Sequence, residues 1–200
     1  LAEAGADLVA FTGHKGLLGP QGIGGLWVRS GVAIRPHLVG GTGGDSMDPR
    51  MPAAFPDRLE PGSGNVPGMA GLLAGIEALE EMGIETVHRN EMALKTVLWE
   101  GLESLQGIRV LSPQAPRGLG IVTVVSERMD PPTLAGLLDQ DWGVLVRHGL
   151  NCAPGVHRML GTEAQGAVRF SVGWATAEKD VRQAIRGVDS LTSPLTVPGA

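Results

Sequence analysis

The 200-residue chain has no tyrosine, one cysteine and only three lysines. The missing tyrosine excludes nothing about function. The single cysteine, Cys152, rules out an internal disulfide framework, cannot by itself build a thiolate metal centre, and suits a reducing cytoplasm. Charge of one sign is also scarce. The formal net charge is -5, with no block of basic residues, so the electrostatic footprint for nucleic acid or an anionic membrane surface is missing. No apolar run is long enough to cross a bilayer. The opening residues, Leu1 to Asp7, read as the end of a helix and a turn into a strand, with no initiator methionine. We therefore expect the chain to be part of a longer one.

Scarcity makes one lysine conspicuous. Lys15 lies in Phe11-Thr12-Gly13-His14-Lys15-Gly16-Leu17-Leu18-Gly19-Pro20-Gln21-Gly22, a glycine-dense loop between two apolar runs. The runs predict a buried strand over 7–12 and a neighbouring strand over 23–29. An amine placed among glycines at a strand exit can act as a nucleophile toward a carbonyl cofactor. A plain surface lysine is the competing reading. Thr12 and His14 flank Gly13 and could donate hydrogen bonds to a phosphate near that amine.

Further along, residues 39–45 are too rich in glycine to form an element, and 47–61 carry four prolines and read as an irregular loop. Apolar residues at Met69, Leu72, Leu73, Ile76 and Leu79 recur at helical spacing. Before that helix stands Glu60-Pro61-Gly62-Ser63-Gly64-Asn65, which reads equally well as an anion-binding helix start or as an N-cap supplied by Asn65. A long amphipathic helix is predicted over 83–106. Strands follow at 108–111, 119–125, 144–147 and 167–172, with a helix over 131–142 and a last helix after Thr176, whose hydroxyl can cap it. This alternation from residue 107 onward predicts a small α+β layer domain.

Three more residues could carry chemistry. Cys152 sits in a polar segment, with Arg147, His148 and His157 near in sequence to favour a thiolate; a buried structural cysteine is the alternative. Arg169 is on an otherwise apolar strand, on the face opposite Val168 and Phe170. If the strand is half-buried it needs a counter-charge, either an internal acid or a substrate carboxylate gripped by the guanidinium fork; a simply exposed strand face is the remaining reading. Arg147 carries the same ambiguity. His37 and His88 read as structural or surface residues.

The loop around Lys15, the Glu60–Asn65 segment, and Val146-Arg147-His148-Gly149-Leu150-Asn151-Cys152-Ala153-Pro154 followed by Val168-Arg169-Phe170-Ser171 together resemble the class V aminotransferase superfamily, in particular its cysteine desulfurase and selenocysteine lyase group. The resemblance covers the second half of a family member. It implies an α/β fold: the end of the large, mostly parallel α/β domain of a fold-type I pyridoxal-phosphate transferase over 1–83, a small α+β domain over 84–191, and a flexible tail over 192–200. It implies that Lys15 holds pyridoxal 5'-phosphate and moves protons, that Thr12 and His14 bind its phosphate, and that Ser63 binds the phosphate in the partner subunit of a homodimer with shared active sites. Arg169 would bind the substrate carboxylate, with Arg147 near the entrance. Cys152 would attack the sulfur of L-cysteine or a related amino acid, leaving alanine and a persulfide for a sulfur-acceptor protein. The acidic partner of the pyridine nitrogen and the ring-stacking aromatic would come from the first half, so the resemblance implies that this chain alone binds the cofactor poorly. Asn151 stands where a histidine often precedes the cysteine. Two alternatives stay open: an aminotransferase, selenocysteine lyase or epimerase in which Cys152 is structural, and an inactive dimerisation or scaffold piece.

Overall fold

A computed structural model describes residues 5–44 and 47–194. The chain divides into two compact units, Leu1–Gly83 and Ile84–Ala200.

In the first unit, β1 (Leu8–Thr12) and β2 (Gly24–Val28) form an antiparallel ribbon in the register Leu8↔Val28 to Thr12↔Gly24. The 7–12 strand is not buried as its apolar sequence predicts. Leu8 is 49% exposed, Phe11 41% and Leu26 48%. A two-stranded ribbon has two faces, and the described residues provide no layer to cover them. Residues 47–61 are irregular apart from one 3-10 turn over Asp57–Leu59. Helix α1 (Val66–Met82) is capped by Asn65, whose side-chain oxygen accepts from the Gly68 N–H at 3.0 Å, and Pro67 occupies the first turn, where no amide donor is needed. Its predicted apolar stripe is only partly used. Leu79 is buried, but Met69 and Leu73 are about half exposed. The tight contacts lie on the glycines of α1 instead, as described below.

The second unit is a helix-backed antiparallel sheet. Helix α2 (Ile84–Glu103) leads into β3 (Ile108–Val110) and β4 (Ile121–Ser126). Helix α3 (Pro131–Trp142), β5 (Arg147–Gly149), the short α4 (Pro154–Met159), β6 (Ala167–Ser171) and α5 (Glu178–Thr192) follow. Strand order is β3-β4-β6-β5, every pair antiparallel. Period-2 alternation sends Val122, Val124, Val168 and Phe170 into a core closed by Leu98, Leu102, Leu134, Leu138 and Val188 from the helices. Three details depart from the sequence reading. The strand predicted over 144–147 forms at 147–149. Helix α4 has no counterpart in the prediction, since six residues are too few to show a period. Thr176 does not cap α5. Ala177 occupies the N-cap position, where its N–H donates to Asp180 Oδ2 at 3.0 Å, while the Thr176 hydroxyl accepts from Gly173 N–H at 3.0 Å. Thr192, the first residue of the predicted tail, is still helical and 2% exposed; residues 195–200 lie outside those described.

Lys95 on α2 is only 1% exposed, and its ammonium donates to the Arg117 carbonyl. Burial pushes its proton affinity below the ordinary lysine value of 10.5. The unfolded chain therefore keeps that proton to higher pH than the folded chain does. Stability should rise as pH climbs from the depressed native value toward 10.5, where the unfolded lysine also loses its charge. We expect Lys95→Met to flatten this rise. Urea midpoints of both proteins between about pH 8 and about pH 11 check it, and parallel curves would refute it.

Candidate active site

Lys15 is exposed just beyond the end of β1, and its amine has no partner among the described residues. The loop that carries it is held by its own backbone. Gly13 N–H donates to Ile23 O at 2.9 Å, Leu18 N–H to Lys15 O at 3.0 Å and Gly19 N–H to Gly13 O at 2.9 Å. Leu18 is held at φ 58°, a left-handed conformation that leucine adopts only when its surroundings dictate it. Helix α1 supplies those surroundings. A methyl group on Gly75 would come within 2.5 Å of the Leu17 carbonyl oxygen, and one on Gly71 within 2.9 Å of the Pro20 ring. At the loop's far end, the Asn65 amide donates to Gly22 O at 3.3 Å. The lysine thus hangs from a loop seated directly on a helix backbone.

Beside it, Thr12 Oγ1 and His14 Nδ1 lie 3.0 Å apart, so the two predicted phosphate donors are already hydrogen-bonded to each other. This leaves Nε2 of His14 pointing to the free side of the ring. A primary amine, a hydroxyl, an imidazole and open space over Gly16 fit an aldehyde that carries a phosphate ester. Ser63 is exposed three residues before α1, and its hydroxyl is unpartnered among the described residues. The adjoining Gly62 N–H donates to Gly41 O at 2.7 Å, which ties this segment to the glycine-rich stretch. Asn65 fills the cap role, so Ser63 is not needed for it.

In the second unit, β5 ends at Gly149 and turns sharply. Asn151 and Cys152 have φ of 50° and 60°, and the Ala153 N–H closes the turn on Leu150 O at 2.8 Å. Two positive φ values in succession define a type I′ turn, for which Asn at the first central position and Gly at the second are the favoured residues. Cysteine at the second position costs about 1 kcal/mol of backbone strain. The turn is packed backbone to backbone: a methyl group on Gly166 would sit 2.5 Å from the Gly149 carbonyl carbon. The strain falls on the residue that carries the chain's one thiol.

The Cys152 sulfur is exposed, and Arg147 Nη2 donates to it at 3.8 Å. Cross-strand pairing places Arg147 opposite Arg169, and Arg169 opposite Thr123. Directly opposed residues share a face, so Arg147, Arg169 and Thr123 form a row on the side of the sheet opposite the core that α2, α3 and α5 close. Like charges in this arrangement are unfavourable by roughly 0.2–1 kcal/mol, and neither arginine has an acidic partner among the described residues. An incoming anion would relieve the pair. Of the two predicted histidines near the cysteine, neither reaches it. His157 is 4% exposed, with Nδ1 2.8 Å from the Thr162 hydroxyl, and His148 is on the exposed β5 edge. His37 and His88 are exposed.

A cavity of about 280 Å³ opens on this face, walled by Arg169, Asn151, His157, Thr123 and Ser112. Sequence reasoning missed Asn151, Thr123 and Ser112. Asn151 carried a usable signal, since asparagine is the commonest non-glycine residue at positive φ. Thr123 and Ser112 carried none, because only strand register brings them to Arg169. No grouping of three or more His, Cys, Asp or Glu suited to a metal ion occurs among the described residues.

The class-V aminotransferase family model matches residues 1–184, and the chain belongs to that family. It is 33% identical over 184 residues to a probable cysteine desulfurase of Methanothermobacter thermautotrophicus, covering 89% of this chain and 46% of that protein. To a probable cysteine desulfurase of Pyrococcus abyssi it is 35% identical over 176 residues, covering 83% and 42%. Among solved structures, the apo cysteine desulfurase of Thermococcus onnurineus NA1 superimposes with a TM-score of 0.86 at 32% identity over 94% of this chain and 47% of that one. The cysteine desulfurase CsdA of Escherichia coli gives 0.81 at 27% identity over 94% and 47%. The chain thus spans about half the length of the relatives it matches, and its fold is the corresponding part of a fold-type I pyridoxal-phosphate enzyme. No helix among the described residues is long and apolar enough to cross a membrane.

Proposed function

We propose that this chain is the cofactor-lysine and cysteine-bearing half of a pyridoxal-phosphate-dependent cysteine desulfurase. The observation that carries the reading is Cys152 in a strained turn, its sulfur against Arg147, beside an arginine pair with no acidic partner among the described residues. Relatives named cysteine desulfurase support it. Lys15 would hold the cofactor and move the proton at the substrate α-carbon. His14 and Thr12 would bind the phosphate. When bound, pyridoxal phosphate supplies the electron sink that makes the α-carbon acidic. Arg169, with Arg147 beside it, would hold the substrate carboxylate as a bidentate pair and so orient the side-chain sulfur toward Cys152. Cys152 would take that sulfur as a persulfide, leaving alanine, and an acceptor protein would collect it from the exposed turn. The free Ser63 hydroxyl is compatible with a phosphate contact in a homodimer. One cysteine and a modest negative charge suit a cytoplasmic enzyme.

The test uses the full-length protein that carries this chain. With pyridoxal phosphate and L-cysteine it should yield alanine and sulfur in equal amounts. Lys15→Ala should remove both turnover and the visible absorbance of the lysine-bound cofactor. Turnover that survives this substitution, or alanine formed without sulfur, would overturn the reading. The 200-residue chain by itself should load the cofactor weakly.

A further inference from the structure

Among the described residues, two buried side-chain polar atoms have no hydrogen-bond partner: Oδ1 of Asn151 and Nε of Arg169. One is an acceptor and the other a charged donor, and both residues wall the same cavity. The Asn151 amide is not free to turn round. Its Nδ2 donates to Gly149 O at 3.1 Å, and a flipped amide would set oxygen against that carbonyl. Of the other polar side chains in the wall, two have partners of their own, while Thr123, opposite Arg169 in the strand register, contributes a hydroxyl. Ser112 Oγ accepts from Thr123 N–H at 2.9 Å, and His157 Nδ1 is paired with Thr162. Arg147, across the strand pair, offers only donors.

We propose that Asn151 is a positioning residue that accepts a hydrogen bond from Arg169 Nε, directly or through one water in the cavity. The bond uses the inner edge of the guanidinium and leaves the two terminal nitrogens free as a fork. It also joins the turn that carries Cys152 to the arginine beneath it, because the same amide braces that turn at Gly149 O. The nucleophile and the fork then move as one body. The value of the fork for substrate rests on Arg169 being the carboxylate clamp; the bond itself does not.

The experiment needs no catalysis. In a ¹⁵N-labelled sample of the full-length protein that carries this chain, the Arg169 Nε–H resonance is identified by its loss in Arg169→Lys, and its hydrogen exchange is measured. Exchange should be slow in the parent protein and at least tenfold faster in Asn151→Gly, which keeps the positive φ but has no side chain. The Cys152 amide resonance should stay in place in Asn151→Gly, showing that the turn survives. Fast exchange in the parent protein or no change in Asn151→Gly would each overturn the proposal.

Discussion

Replacing Cys152 with serine in the full-length protein is expected to cut sulfur release from L-cysteine by about 10³-fold or more, with cofactor absorbance unchanged. A hydroxyl is far less nucleophilic and less readily ionised than a thiol, so a step that depends on sulfur attack loses most of its rate. Position should not be the cause. Serine accepts the same backbone, and the turn is set by Asn151 and by the Gly149–Gly166 contact. Single-turnover assays with sulfide or persulfide readout would measure it. Retention of more than about a tenth of the rate would make Cys152 structural and favour an aminotransferase, lyase or epimerase without a catalytic cysteine.

The second large effect concerns a residue far from any reactive group. Gly75→Ala should destabilise the first unit by about 2 kcal/mol and release the Lys15 loop. The new methyl would stand 2.5 Å from the Leu17 carbonyl oxygen and 2.9 Å from the Leu18 carbonyl carbon, both backbone atoms that cannot swing aside. The loop must therefore lift from α1. Amide exchange over 13–22 should accelerate, and cofactor occupancy of the full-length protein should fall. Gly16→Ala is the control: nothing lies within 4 Å of a methyl there, so its effect should stay within about 0.5 kcal/mol. Equal effects of the two substitutions would refute the seat.

Much of this was legible without coordinates. The short-range patterns held best. Alternation of Val168 and Phe170 announced a strand with one core face, and the helical period of Leu98 and Leu102 announced α2. The glycine loop around Lys15 and the polar setting of Cys152 pointed to chemistry because residue type and neighbours alone set those odds. Errors arose where the answer lay in contacts distant along the chain. The burial expected of β1 depended on layers that the ribbon itself does not provide. Thr176 lost the cap of α5 because Gly173 N–H holds its hydroxyl and Asp180 serves the cap from inside the helix. His148 and His157 were near Cys152 in sequence, yet strand direction and the Thr162 contact turned them elsewhere.

The amino-acid sequence by itself determined which groups are available: one amine in a glycine loop, one thiol, and the arginines at 147 and 169. It also pointed to a small α+β layer unit from residue 107 onward, because period and turn chemistry are local properties; that every strand pair in it is antiparallel came from the fold. The tertiary structure alone decided how those groups are presented. It set Arg147 opposite Arg169 through strand register, placed Asn151 Oδ1 and Arg169 Nε on one cavity, and seated the Lys15 loop on Gly75. Each of these depends on backbone-to-backbone approach between segments far apart in the chain, which no local pattern of residues encodes.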